Sequence, residues 1–217
     1  MRVMIFRKMI KDLEWLWTDR VEHPSDTSWR HVKDGYYIQK KSREFERHIC
    51  MTVPEGELLA KYSSQAKIGI VEIGRKYGGS TLLIASCSSV PIISIDWNPL
   101  ETKKTYQKLR ENSRVTLIQS DSRTFNVNIK FDVLLVDGMH KYHFIKKEME
   151  VYWPKLTVGG HALFHDHPVP TAQLRSTTSR GTPHVEKAVN ELIPVYGELV
   201  TRVGTFAVVR KVSEFDV

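Results

Sequence analysis

Two short polar clusters in this chain follow apolar runs and carry side chains that can do chemistry. Asp137 and His140 follow one run, and His165 with Asp166 follows the next. If these runs are neighbouring strands about 4.8 Å apart, their ends share one rim of a sheet. Carboxylates at such a rim suit Mg²⁺ or Mn²⁺, and a histidine favours Mn²⁺, Fe²⁺ or Zn²⁺. We therefore predict a candidate metal site made of Asp137, His165 and Asp166.

His140 is the predicted catalytic base. It lies three residues after Asp137, so both side chains can face one substrate. A neutral imidazole, whose pKa is ordinarily about 6.5, accepts a proton from a hydroxyl group of raised acidity. Lys141 is the alternative base. A surface histidine at a helix start is the competing interpretation, since the chain contains 9 histidines.

A glycine-containing turn upstream predicts a cofactor pocket. The segment Val71–Ser80 joins an apolar strand to a helix start, with glycines at 74, 78 and 79. Glycines allow close backbone approach to a ligand, but this spacing is not the Gly-x-Gly-x-x-Gly of dinucleotide folds. The turn therefore favours a different adenosine-bearing cofactor. Glu72 could order the turn and reach the cofactor's ammonium group, provided that its buried carboxylate has a partner.

Polar residues after the next two strands extend the predicted pocket. Asp96 closes a strand 22 residues after Gly74, where an acidic side chain accepts both ribose hydroxyl protons; capping of the next helix is the alternative. Trp97 lies along the adenine or has a packing role. Asp121 and Ser122 either contact the adenine amine or cap a turn.

The elements that must position these residues alternate between strand and helix from residue 67 onward. This alternation predicts an α/β fold with a Rossmann-like, doubly wound sheet, mostly parallel with an antiparallel last strand, and helices on both faces. The predicted strands are Ile68–Ile73, Ile92–Asp96, Val115–Gln119, Asp132–Val136, His161–Phe164, Glu198–Arg202 and Thr205–Arg210. The predicted helices are Ser80–Ser86, Leu100–Glu111, Lys141–Tyr152 and Val185–Leu192.

Two segments outside this alternation are predicted to shape the acceptor pocket. Residues 1–60 form an α-rich N-terminal cap, substrate or dimer segment, and residues 61–217 form the cofactor-binding domain. Within the first segment we expect a helix over Met1–Val21, a turn at Pro24–Ser28 and an irregular aromatic stretch from Trp29. The long connection Asp166–Pro183, rich in Pro, Ser and Thr, is predicted to be a lid or substrate loop.

Composition narrows the class of protein. A length of 217 residues suits one folded domain, and no apolar run is long enough to cross a bilayer. Two cysteines without a framework or metal spacing predict a reducing, cytoplasmic location. The net charge is +7, but the basic residues are interleaved with acidic ones. Nucleic-acid binding is therefore an alternative rather than the first prediction.

The quoted motifs resemble class I S-adenosylmethionine-dependent methyltransferases, specifically small-molecule O-methyltransferases of the macrocin and catechol type, related to the cephalosporin-hydroxylase group. The resemblance covers about residues 60–210 and rests on Glu72–Thr81, Val136–His140 and Val158–Asp166. It implies S-adenosylmethionine as cofactor, Mg²⁺ or Mn²⁺ as a possible second cofactor, and a small-molecule hydroxyl as methyl acceptor. The implied cofactor-binding residues are Glu72, Gly74, Tyr77, Gly78, Gly79, Ser80, Asp96, Trp97, Asp121, Ser122 and Asp137.

The chain departs from this family at two places. Family members carry paired acids where this chain has His165 and Asp166, so one acidic metal ligand is either replaced by a histidine or missing. Arg75 and Lys76 stand where small or polar residues are commoner, either adding positive charge near the cofactor carboxylate or pointing outward.

Three other functions stay open. An RNA-directed methyltransferase would use the aromatic and basic segment Trp29–Arg47 to bind single strands. A non-catalytic cofactor-binding protein would explain the altered His165–Asp166 pair as lost chemistry. A nicotinamide-dependent oxidoreductase is disfavoured by the missing glycine spacing. A homodimer is expected slightly ahead of a monomer.

Overall fold

The structure, a computed structural model, describes residues 13, 20–22, 45–47, 49–169 and 181–214. Its described strands are β1 (Arg20–Glu22), β2 (Phe45–Arg47), β3 (Ile70–Ile73), β4 (Ile92–Asp96), β5 (Val115–Gln119), β6 (Phe131–Val136), β7 (Leu156–Phe164), β8 (Gly197–Val203) and β9 (Phe206–Lys211). Its described helices are α1 (Val53–Gln65), α2 (Gly79–Cys87), α3 (Lys103–Arg110), α4 (Tyr142–Tyr152) and α5 (Pro183–Tyr196), with a 3₁₀ turn at Trp153–Lys155 after α4.

A seven-stranded sheet with the order β5-β4-β3-β6-β7-β9-β8 forms the centre of the molecule. Neighbouring strands from β5 to β7 are parallel, and β9 runs antiparallel between β7 and β8. This arrangement confirms the predicted Rossmann-like sheet with its antiparallel last strand. The strand order reverses between β3 and β6, which creates a switch point at their carboxyl ends.

Apolar cores cover both faces of the sheet. On one face, Ile70 and Leu135 pack with residues of α1 and α2, and on the other, Val71 and Leu134 pack with residues of α4 and α5. All four residues of β3 are buried. Burial on both faces explains why the central strands are nearly continuous apolar runs instead of alternating ones.

Element boundaries differ from the predicted ones where local contacts extend or shorten them. β7 begins at Leu156, five residues before the predicted His161, because Leu156 pairs with Phe131 of β6. α3 begins at Lys103 instead of Leu100, since Thr102 caps it by accepting a hydrogen bond from the Thr105 amide at 3.2 Å. The predicted turn at Gly204 is present, with φ of +56°.

Part of the predicted N-terminal segment falls within the described residues. Arg20 and Val21, predicted to end a helix, instead belong to β1, because β1 pairs antiparallel with β2. The rest of that predicted helix, apart from Leu13, and the expected turn and aromatic stretch up to residue 44 lie outside the described residues. The proposed boundary at residue 60 falls inside α1, whose apolar residues pack in the same core as those of α2.

Among the described residues, no helix has both the length and the apolar character that a membrane span requires.

Candidate active site

The glycine turn and the polar rim meet at the switch point. Gly74 follows β3, Asp137 follows β6, and the Asp137 amide donates to the Ile73 carbonyl at 2.8 Å. A Cβ atom on Gly74 would lie 2.1 Å from the Asp137 carbonyl oxygen, and Gly74 has φ of +90°. Only glycine satisfies both conditions. Open α/β sheets bind ligands at this position, so the structure brings the two predicted motifs together where a ligand belongs.

Asp96 holds the glycine turn from β4. One carboxylate oxygen accepts from the amides of Arg75 and Lys76 at 2.8 and 2.7 Å, and the other accepts from the Asn98 amide at 2.7 Å. A carboxylate has about four acceptor positions, so roughly one is left for a ribose hydroxyl. The ribose role of Asp96 therefore stays a prediction, now for one hydroxyl group instead of two.

Glu72 has the partners that its burial requires. Its carboxylate is fully buried and accepts hydrogen bonds from the hydroxyls of Ser80, Thr81 and Ser94, each at 2.5 Å. Burial raises the pKa of this carboxyl group, against the lowering effect of the three hydroxyls. Glu72 thus ties the start of α2 to β3 and β4. Its contact with a cofactor ammonium group stays a prediction.

The remaining residues of the turn are arranged as follows. Gly78, with φ of +79°, is the N-cap of α2, and Gly79 is the first residue of that helix. Tyr77 is buried at 1% exposure, and the Lys76 ammonium lies 5.0 Å from the centre of its ring. Their roles toward a cofactor stay predictions.

Arg75 points into the protein, which neither sequence-based alternative anticipates. Its guanidinium forms a buried ion pair with Glu101 and donates to the Ser94 carbonyl at 2.8 Å. Arg75 therefore ties the glycine turn to β4 and to the segment before α3.

Of the three predicted adenine residues, Asp121 and Ser122 are held by other side chains and Trp97 is exposed. Asp121 accepts from the Arg123 guanidinium at 2.6 to 3.2 Å, and this interaction lowers its pKa. Ser122 donates to a Glu148 carboxylate oxygen at 2.5 Å. Trp97 is 63% exposed, so it is not part of the core. Adenine contact by these residues stays a prediction.

The rim beyond β6 and β7 gathers Asp137, His140 and Asp166. His140 Nδ1 lies 3.0 Å from an Asp166 oxygen, and its Nε2 lies 3.4 Å from an Asp137 oxygen. One ligand atom from each of the three side chains lies within 4.8 Å of the others, so the group could hold a metal ion. Asp166 has φ of +56°, a conformation that Asp tolerates better than most residues.

The protonation states at this rim are coupled. Burial disfavours the imidazolium of His140, but the neighbouring carboxylates of Asp137 and Asp166 outweigh burial and raise its pKa to about 9. Burial likewise opposes ionisation of Asp137, yet His165 and His140 lower its pKa overall. In this arrangement His140 carries a proton at neutral pH. It becomes a base only after losing that proton.

His165 lies beside the metal-binding group instead of within it. Its Nδ1 is 2.9 Å from an Asp137 oxygen, and its Nε2 faces a Glu55 oxygen at 4.0 Å. The group with metal-binding geometry contains His140 in its place. The predicted ligation by His165 remains a prediction that the geometry does not favour.

Two further residues of this site were missed by the sequence reasoning. Glu148 lies on α4 in the buried stripe with Ile145, Met149 and Tyr152. An acid at helical spacing within an apolar stripe is a signal that could have revealed it. Glu55 gives a weaker signal: the pattern from Thr52 to Glu55 predicts a capping box, which is present, but not the contact with His165.

Lys141, the alternative base, is the N-cap of α4. The predicted substrate loop Asp166–Pro183 is described only at its ends, where the Thr182 amide donates to the Asp166 carbonyl at 2.7 Å; residues 170–180 lie outside the described residues.

Comparison of this chain with known proteins finds one matching family model. Residues 71–167 match a family model described as a methyltransferase domain, and this range contains the glycine turn and the rim. Curated protein sequences include no significant match.

Solved structures similar to this one share its fold at low sequence identity. The O-methyltransferase NovP is 14% identical with a TM-score of 0.66, and the match covers 97% of this chain and 99% of NovP. A putative caffeoyl-CoA O-methyltransferase from Staphylococcus aureus is 20% identical with a TM-score of 0.57, covering 75% and 85% of the two chains.

A third similar structure contains a cofactor product. The N-methyltransferase NodS from Bradyrhizobium japonicum WM9, in complex with S-adenosyl-L-homocysteine, is 20% identical with a TM-score of 0.54, covering 72% of this chain and 85% of NodS. These similar structures share the fold of this chain, and the range that matches the methyltransferase domain contains the glycine turn at the switch point.

Proposed function

We propose that the protein transfers the methyl group of S-adenosylmethionine to a hydroxyl oxygen of a small molecule at the rim of Asp137, His140 and Asp166. The observation that carries the proposal is the direct contact between this rim and the glycine turn, made where Gly74 meets the Asp137 backbone. The O-methyltransferase names of two similar structures support a hydroxyl acceptor.

The chain's contribution to the transfer would be mainly positioning. When bound, S-adenosylmethionine supplies an electrophilic methyl group on its sulfonium sulfur. Holding the acceptor oxygen in line with that methyl group can lower the barrier by roughly 7–11 kcal/mol. The predicted substrate loop Asp166–Pro183 and the N-terminal segment would shape the acceptor pocket.

His140 is the proposed base. Its side chain is 35% exposed, so an acceptor can reach it, and carboxylates on both sides stabilise the imidazolium that proton transfer produces. General-base catalysis of this kind contributes about 10²–10⁴-fold to a rate.

The same three side chains also fit a divalent cation. Two carboxylates and one imidazole suit Mn²⁺, Fe²⁺ or Zn²⁺ better than Mg²⁺. A bound cation would increase the acidity of the acceptor hydroxyl. A cation that takes His140 as a ligand removes it as a base, which leaves Lys141 for that role.

The test is a methyl-transfer assay with phenols, catechols and sugars as acceptors, each with Mn²⁺, with Mg²⁺ and with a chelator. We expect transfer to a hydroxyl oxygen. Activity that survives the chelator assigns His140 as the base, and activity that requires Mn²⁺ assigns it as a ligand. Transfer only to RNA or to amines would contradict the proposal.

A variant pair localises the chemistry. His140→Ala should lower kcat by about 10²–10⁴-fold while leaving the Kd for S-adenosylhomocysteine nearly unchanged. The matched control is His143→Ala, because His143 is exposed and lies three residues further along the chain. Equal losses in the two variants, or loss of cofactor binding in His140→Ala, would contradict the role of His140.

A further inference from the structure

The His165 ring is enclosed by the protein on several sides. Its Nδ1 lies 2.9 Å from an Asp137 oxygen, its Nε2 faces Glu55, and the Phe206 ring lies 4.8 Å from it, centroid to centroid. Only 5% of the residue is exposed. A carboxylate can only accept hydrogen bonds, so the Nδ1–H of His165 must donate to Asp137. That nitrogen therefore has no lone pair for a cation.

Glu55, behind the ring, is itself rigidly held. One carboxylate oxygen accepts from the Thr205 amide and hydroxyl at 2.5 and 2.8 Å. The other oxygen, which faces His165, accepts from the amide and hydroxyl of Thr52 at 2.6 and 2.8 Å. Gly204 has no side chain, and a Cβ atom there would lie 2.3 Å from a Glu55 oxygen. The glycine thus makes room for the carboxylate against the β8–β9 turn.

We propose that His165 is a positioning residue, which Glu55 holds in place so that its Nδ1–H fixes the Asp137 carboxylate toward His140. The inference rests on the proposed function, since it assigns the donor that orients one of the rim carboxylates. His165 stands where the resembled family carries an acid, and the proposal gives it a role other than metal ligation.

The orientation of the Asp137 carboxylate matters because a single oxygen of it faces both His165 and His140. The oxygen that accepts from His165 is also the one 3.4 Å from His140 Nε2. Without the His165 donor, the carboxylate is free to rotate away from His140. Residues that orient a functional group in this way typically change metal affinity or activity by about 10–100-fold when they are replaced.

Three variants test the inference. His165→Leu removes the donor and should lower kcat by about 10–100-fold with little change in the Kd for S-adenosylhomocysteine. His165→Asn places an amide N–H near the former Nδ1 and should restore much of kcat. His161→Leu is the matched control, because His161 is on the same strand and does not contact the rim; its kcat should stay close to that of the unmodified protein. Equal losses in His165→Leu and His165→Asn, or unchanged kcat in both, would overturn the proposal.

A second readout does not depend on activity. In protein with ¹⁵N-labelled histidine, the His165 Nδ1–H should give a slowly exchanging NMR signal that vanishes in His165→Leu and shifts in Asp137→Asn. A missing signal, or one that ignores Asp137→Asn, would overturn the inference. If the protein binds cofactor but methylates no hydroxyl, the proposed function fails while this measurement still decides whether His165 holds Asp137.

Discussion

At the scale of single residues, the rim is an alternation of carboxylates and imidazoles. Asp137 lies between His140 and His165, and Asp166 contacts His140 from β7. Each histidine raises the acidity of the carboxyl group beside it, and each carboxylate favours the charged imidazole in return. The pKa values of Asp137, His140 and His165 therefore depend on their neighbours, and the two histidines hold protons that a free histidine would release near neutral pH.

The raised pKa of His140 predicts the pH dependence of transfer. Only the neutral imidazole accepts a proton, so kcat measured with a chelator present should rise roughly tenfold per pH unit and level off near pH 9. The measurement is kcat from about pH 6.5 to pH 10, with His140→Ala as the comparison. A profile that is flat from pH 7 to pH 9, or parallel in the variant, would contradict the base role.

At the scale of elements, two helices each carry a buried glutamate, and the fold shifts the pKa values of the two carboxyl groups in opposite directions. Glu55 on α1 is surrounded by donors, which outweigh its burial and lower its pKa to about 2. Glu148 on α4 has one described donor, Ser122, and burial raises its pKa to about 7. Tyr152, one turn further along α4, donates to the Phe125 carbonyl at 2.9 Å. Helix α4 therefore contacts the turn that contains Asp121 and Ser122 at two points, Ser122 and Phe125.

These two acids should affect stability in opposite directions. Glu55 is charged more easily in the folded state, so its stabilisation is present above about pH 4.5 and is lost as pH falls toward 2. Glu148 is charged less easily in the folded state, so it costs stability as pH rises from about 4.5 to 7, and the cost persists above 7.

The same substitution at the two positions tests this contrast. At pH 8, we expect Glu55→Gln to lower the free energy of unfolding and Glu148→Gln to raise it, each by on the order of 1–3 kcal/mol. At pH 4 the Glu148 difference should be nearly gone, whereas most of the Glu55 difference should remain, because it is lost only as pH falls toward 2. Denaturant unfolding at the two pH values measures them, and changes of the same sign at pH 8 would contradict the assignment.

At the scale of the whole molecule, cofactor binding should be coupled to folding. The turn that we expect to hold S-adenosylmethionine joins β3, β4 and α2, so a ligand there contacts only the folded state. At a concentration 100 times its Kd, S-adenosylhomocysteine should add about 2.7 kcal/mol to the free energy of unfolding. For a chain of this size that corresponds to a rise in Tm of roughly 5–10 °C. The measurement is thermal unfolding with and without ligand, and an unchanged Tm at millimolar ligand would contradict cofactor binding.

Much of the architecture could be predicted because it depends on local patterns. The strands β4 and β5 have the predicted bounds, since short apolar runs between turn residues specify strands directly. The predicted start of β7 lies five residues too far along the chain, because Gly159 and Gly160 interrupt the apolar pattern. Pairing with β6 extends the strand back to Leu156. Register of this kind depends on the partner strand and is absent from the local pattern.

The sequence by itself determined the doubly wound sheet, the glycine turn and the placement of Asp137, His140 and Asp166 just beyond strand ends. Strand and helix periodicity, together with the rule that ligands bind beyond strand ends, were sufficient for this. Only the tertiary structure decided that Glu55 reaches His165 and that Arg75 turns inward to Glu101. Partners far apart in the chain are chosen by burial, because a charged group removed from water must find a counter-charge or a donor wherever the fold supplies one.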